Sequence, residues 1–168
     1  MTLQTSARLG LPLLQAGQAQ KEVWHNEALM LLDFAVQPSV AAVGLDTPPA
    51  SPALGACWIV GAAPGGAWTG QANAIAGWTD GGWRFVPPQP GMRVWSHADG
   101  ADARFDGTRW TIGTLTGNRL VIDGQAMLEA RQPAIAAPAN GTVVDVEGRH
   151  AIAAILSALQ SLGLIAAA

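Results

Sequence analysis

The chain predicts an α+β fold, mainly antiparallel β, with an arm and a helix first and a second helix last. Three observations predict it. Short apolar runs in the middle alternate with Pro-Pro, Pro-Gly-Gly, Asp-Gly and Pro-Gly turn signals. Their spacing, roughly 8–12 residues, is that of a small barrel or sandwich. Six of the seven tryptophans lie in the same stretch: Trp58, Trp68, Trp78, Trp83, Trp95 and Trp110. Helical periodicity with capping residues marks both ends.

The first 38 residues are rich in Leu, Gln and Ala. Leu9, Leu11, Leu13 and Leu14 flank Pro12, and the residue before a proline is pushed away from helix, so this stretch reads as an extended arm. A helix follows, from about Gly17 or Asn26 to Val36, with Asn26 as N-cap and Glu27 in the first turn. Leu29, Leu32 and Val36 fall on one face, and Pro38 stops the helix. Residues 39–128 form the Trp-rich β-domain. Its strands are expected at Val40–Val43, Cys57–Val60, Trp83–Val86, Met92–Ser96 and Trp110–Ile112.

Two segments there share a pattern, Trp78-Thr-Asp-Gly-Gly-Trp83 and Phe105-Asp-Gly-Thr-Arg-Trp110. The first pairs Trp78 with Trp83 whether the turn has two residues or four. In the second, a two-residue turn would set Arg104 opposite Arg109, and like charges directly opposite are unfavourable. A four-residue loop pairs Phe105 with Trp110 instead, a cross-strand aromatic contact of roughly 0.2–1 kcal/mol. Arg119-Leu-Val-Ile-Asp-Gly then runs as a strand into a turn. Residues 129–144 form a Pro/Ala linker, and residues 145–168 the last helix. Asp145 caps it, Glu147 lies in its first turn and Gly163 ends it. Ile152, Ile155, Leu159 and Leu162 follow 3-4-3 spacing, a coiled-coil seam over two heptads. Two heptads are too short to hold a free coiled coil, so the seam either closes an oligomer joined elsewhere or packs back on the β-domain.

Composition narrows the function classes. Only 12% of the residues are charged, about half the usual share, while 49% are apolar. Such a surface suits one covered by other subunits. The net charge is −3 and the sole lysine is Lys21, so there is no basic patch for nucleic acid. The single Cys57 leaves no disulfide framework and no cysteine-based zinc site. The first ten residues lack the apolar core of a secretory signal, and no run reaches membrane-spanning length.

The chain resembles the DUF2793 family on three stretches. They are Arg8-Leu-Gly-Leu-Pro-Leu-Leu-Gln-Ala-Gly-Gln-Ala-Gln-Lys-Glu-Val with His25-Asn-Glu-Ala-Leu; Gly66-Ala-Trp-Thr-Gly with Ile75-Ala-Gly-Trp-Thr-Asp-Gly-Gly-Trp-Arg-Phe; and Ala130-Arg-Gln-Pro-Ala-Ile-Ala with the terminal Gly163-Leu-Ile-Ala. The resemblance implies a component of tailed-phage particles or gene transfer agents, associated with head spikes or receptor-binding fibres. The expected role is structural rather than enzymatic: a base or adaptor, assembled in the cytoplasm into a virion-like particle, that aids attachment to the host surface. Expected partners are capsid or fibre chains and further copies of itself, as a trimer or a pentamer, with no cofactor. Leu9, Leu11, Leu13 and Leu14 would dock the arm on the particle. Removing residues 1–16 would then leave a folded protein.

The competing class is a carbohydrate-binding module for host capsule or cell-wall polysaccharide. Sugar rings stack apolar C–H faces on indoles, which makes Trp78, Trp83, Trp95 and Trp110 the candidate platform, although most rings in a small β-domain serve its core. Asp80, Asp99, Asp102 and Asp106 would have to converge for glycoside cleavage, and no spacing argues for it. His25, Glu27 and Asp33 are read as capping and solvated groups, because His25 and Glu27 point to different sides of a helix.

Overall fold

The computed structural model describes residues 4–15, 17, 21–128, 130–141 and 145–167. The chain forms two compact units, Met1–Leu115 and Thr116–Ala168. The arm and first helix therefore belong with the β body. The strand-turn segment at Arg119 falls with the terminal helix rather than with the Trp-rich domain.

In the first unit α1 (Lys21–Ala35) precedes β1 (Ser39–Val40), β2 (Val43–Leu45), β3 (Cys57–Val60), β4 (Ile75–Thr79), β5 (Gly82–Val86), β6 (Arg93–Ser96), β7 (Ala101–Phe105) and β8 (Trp110–Ile112). They build two open four-stranded sheets, β1-β6-β7-β8 and β2-β3-β4-β5. Only β1–β6 and β2–β3 run parallel in these sheets; the other pairs are antiparallel.

The single strand expected over Val40–Val43 is two strands in different sheets. Val40 O accepts from His97 N and Ala41 O from Ala98 N on one side, while Ala41 N donates to Cys57 O and Ala42 O accepts from Ile59 N on the other. Both neighbours compete for one segment, and the chain satisfies each by crossing between them. One core lies between the sheets: Phe34, Val40, Cys57, Ile59, Ile75, Val94 and Ala103, with Val43, Val86, Met92 and Trp110 at its margin.

Helix α1 does not bury the predicted leucine face. Asp33 and Phe34 are its buried residues, while Leu32 and Val36 are about half exposed. Phe34 enters the core where Gly77 has no side chain, since a Cβ there would lie 2.6 Å from the ring. Asn26 is not the N-cap. It lies inside the helix, and its amide clamps Leu14, accepting from Leu14 N and donating to Leu14 O, each at 2.9 Å.

The two aromatic hairpins have the expected pairs. Trp78 faces Trp83 and Thr79 faces Gly82 across a two-residue Asp80-Gly81 turn. Phe105 faces Trp110, and Arg104 faces Thr111, across a four-residue loop. In that loop Asp106 Oδ1 accepts from Thr108 N, Thr108 Oγ1 and Arg109 N.

The second unit opens with a hairpin, β9 (Leu120–Ile122) and β10 (Gln125–Leu128). Its turn residues Asp123 and Gly124 have φ of 50° and 76°, the primed-turn geometry that matches strand twist. Helix α2 spans Val146–Ser161, and the Asp145 carboxylate accepts from Gly148 N as its N-cap. At the other end Gly163 (φ 73°) donates to Gln160 O, and Leu164 N donates to Leu159 O. That bond pattern is a Schellman stop.

Candidate functional site

Successive residues of a strand face opposite sides of the sheet. On the second sheet this puts Cys57, Ile59, Ile75 and Val86 toward the main core, and Trp58, Ala76, Trp78, Trp83 and Phe85 on the opposite face. A 3-10 turn, Gly66–Trp68, folds over that face and inserts Trp68, which is fully buried. Ring centroids of Trp68 and Trp83 lie 5.1 Å apart, of Trp58 and Trp83 5.7 Å, and of Trp78 and Trp83 5.0 Å, all edge-on. Edge-to-face packing favours the ring quadrupoles, so Trp58, Trp68 and Trp83 make a second small core with Val60 and Ala76, and Trp78 packs on Trp83 at its edge. Trp68 Nε1 is buried with no acceptor among the described residues.

Trp110 is likewise structural. Its ring packs on Phe105 at 5.5 Å, and Nε1 donates to Asn73 O at 2.8 Å. The four candidate platform residues are therefore not coplanar neighbours. Trp78 and Trp83 stand on the outer face of one sheet, Trp110 edges the core, and Trp95 stands on the outer face of the other sheet. Among the four, Trp95 is the open ring, 43% exposed.

Trp95 sits in a shallow groove lined by Gln37, Pro38, Ser39, Arg93 and Asp102. The register explains the grouping. Trp95 lies opposite Ser39 of β1 on one side and Asp102 of β7 on the other, and Arg93 lies opposite Arg104. All five thus share the outward face. A further exposed ring, Trp24 on α1, is 81% exposed beside Leu14, Lys21 and His25. Sequence reasoning missed it. Its outward position follows only once Asn26, Asp33 and Phe34 are known to face inward.

The arm is a folded hairpin rather than an extended tether. Thr5 bridges Pro12, Ser6 N donates to Leu11 O and Leu13 N donates to Gln4 O. The fully buried carboxylate of Asp33 holds it, accepting from Ser6 Oγ at 2.6 Å, Leu9 N at 2.7 Å and Arg8 N at 3.0 Å. Arg8 reaches on to Ser39 O and Cys57 Sγ, each at 3.0 Å. Burial pushes the Cys57 thiol pKa up, with the Arg8 charge and hydrogen bond opposing, so the group is a protonated core thiol. A buried carboxylate stripped of three donors is costly, so removal of residues 1–16 would damage the fold, contrary to the sequence expectation. Of the docking leucines, Leu9 is exposed, while Leu11, Leu13 and Leu14 are half-buried against the body.

Asp33 is not the capping or solvated group expected, because it is fully buried, and the other acidic candidates have separate duties. Glu27 pairs with Arg84 at 2.8 Å and Asp33 holds the arm. Asp99 accepts from Ser96 Oγ. Asp99 and Asp106 lie in turns at opposite ends of β7, whose five residues span about 17 Å. Paired glycosidase carboxyls need roughly 5–9.5 Å. Among the described residues no three His, Cys, Asp or Glu side chains gather as metal ligands. No described helix is long and apolar enough to cross a membrane.

In the second unit the predicted seam lies open. Ile152, Ile155 and Leu162 are exposed, Leu159 is half-buried, and α2 buries no residue fully. Leu120, Val121, Ile122, Met127 and Leu128 of the hairpin are exposed on both faces. Ile165 is the buried apolar residue of this unit among those described, in a bridge with Gln132.

Comparison with known proteins gives one family. The model of a family described as "Protein of unknown function (DUF2793)" matches residues 25–111. That range runs from α1 to β8 and includes both aromatic hairpins and the Trp95 groove. No curated protein matches the chain.

Proposed function

The chain belongs to the DUF2793 family, and we propose that it is a structural component of a phage-like particle. The particle is of the gene-transfer-agent type, and the chain is the base or adaptor of a head spike or fibre that aids attachment to the host surface. The observation that carries this reading is the second unit. A two-stranded ribbon with apolar residues on both faces is marginal in water, and a helix with an open 3-4-3 seam buries little by itself. Contiguous exposed apolar surface marks an assembly face. Copies of the same chain supply the matching surface, since closed symmetric homo-oligomers are the common solution.

The sequence resemblance supports the particle setting. The low charge content supports a surface partly covered by neighbours. The folded arm refines the docking role. Its clasp fixes residues 4–14 on the body, so the exposed Leu9, and separately the exposed Trp24 beside Leu14, are held rigidly for contact with a capsid or fibre chain. Electron microscopy of particles from a strain lacking this gene tests the reading. The expected result is intact particles without one class of appendage and with reduced adsorption to host cells. Particles with every appendage in place and normal adsorption would contradict it.

A further inference from the structure

The outer face of β6 and β7 carries two features that folding does not explain. The first is Trp95, left open beside a groove. The second is Arg93 directly opposite Arg104, two of only eight arginines in the chain. Like charges at facing positions destabilise a sheet. Nothing nearby offsets them by contact: the ion pairs among the described residues are Arg84–Glu27 and Arg109–Asp106. Asp102 lies diagonal to Arg93 and two residues from Arg104, yet pairs with neither. An arginine pair of this kind is relieved by an anion that bridges it.

We propose that this face is a saccharide-binding site selective for sugars that carry a carboxylate. The indole of Trp95 takes the apolar C–H face of one sugar ring. The guanidinium groups of Arg93 and Arg104 grip the carboxylate, a planar match that favours arginine over lysine. Two residues along a strand cover about 6.6 Å, so the indole and the Arg93–Arg104 pair are neighbours on one face. Asp102, opposite Trp95, accepts hydrogen bonds from ring hydroxyls, and Ser39 lies on the other side of the indole. The net charge of −3 repels acidic polymers in general, so binding has to come from this local patch. The inference deepens the attachment role proposed above and rests on it for its biological setting; the binding itself is a property of the chain.

Affinity electrophoresis of the full chain, in native gels containing polygalacturonate or dextran, tests it. Retardation by polygalacturonate and little by dextran is expected. Trp95→Ala should abolish it, and Arg93→Gln or Arg104→Gln should weaken it about tenfold or more, with Arg93→Lys a poor rescue. Trp95 is open, so the variant is expected to keep the wild-type circular dichroism spectrum. Absence of retardation by polygalacturonate would overturn the proposal. So would equal retardation by dextran, or undiminished retardation of Trp95→Ala. The molar mass of the same samples reports assembly separately, so a failure of sugar binding and a failure of the particle reading are told apart.

Discussion

At Asp33 three donors from the arm, Ser6 Oγ, Arg8 N and Leu9 N, meet one buried carboxylate. Asp33→Ala leaves those donors without their acceptor and opens a gap beside Phe34. Buried hydrogen bonds to a charged group contribute about 1.5–3 kcal/mol each, with partial compensation by water once the arm loosens. A loss of about 3 kcal/mol or more is expected by urea denaturation. Asp33→Asn keeps one acceptor oxygen and should lose less; equal stability of both variants and the parent would show that the clasp contributes nothing. The sequence offers no sign of this role. Asp33 lies in a leucine-rich helix, and its partners come from about 25 residues upstream, beyond any local periodicity. Trp95 is legible only in part. Its type marks it as a candidate, but its neighbours Arg93, Asp102 and Ser39 follow from strand register.

Among the elements, the hairpins were the most legible because their determinants are local. Asp-Gly turns and the facing aromatics settle Trp78 with Trp83 and Phe105 with Trp110. The like-charge rule that excludes Arg104 facing Arg109 is nonetheless broken one strand away, at Arg93 and Arg104. The caps of α2, Asp145 and Gly163, are equally local and equally legible. Helix α1 is the opposite case: its inward face is chosen by a glycine gap in β4 and by the arm, both remote in sequence. The β7–β8 loop carries a pH signature. Arg109 N, Thr108 Oγ1 and Thr108 N hold the Asp106 carboxylate at a pKa of about 2, below its ordinary 3.8. The depressed value means that the loop's contribution to stability is present above pH 3.8 and lost as pH falls through about 2. Side-chain NMR should give an Asp106 midpoint near 2, rising toward 3.8 in Thr108→Ala. A wild-type midpoint at 3.8 would mean the loop is not closed in solution.

For the whole molecule, the contrast between the two units is the main finding. Met1–Leu115 has a shared core between two sheets and a second aromatic core on the back of one of them. Thr116–Ala168 has regular elements with clean caps but almost no buried apolar side chains among its described residues. The α+β class and the terminal helix were legible from periodicity and capping. The boundary near Leu115 was legible as a shift in composition, since the Gly-, Pro- and Trp-rich stretch ends near residue 113, but the strand at Arg119 reads as one more strand of the β-domain and draws that domain on to residue 128. Whether a 3-4-3 seam is covered depends on what packs against it, which a single sequence does not encode locally. Copies of the chain are proposed to cover this unit. Light scattering of the full chain at micromolar concentration tests it most directly, beside the double variant Ile152→Ser/Ile155→Ser. A whole-number multiple of the chain mass is expected for the parent, and a shift toward one chain for the variant. A single-chain mass for the parent would contradict it.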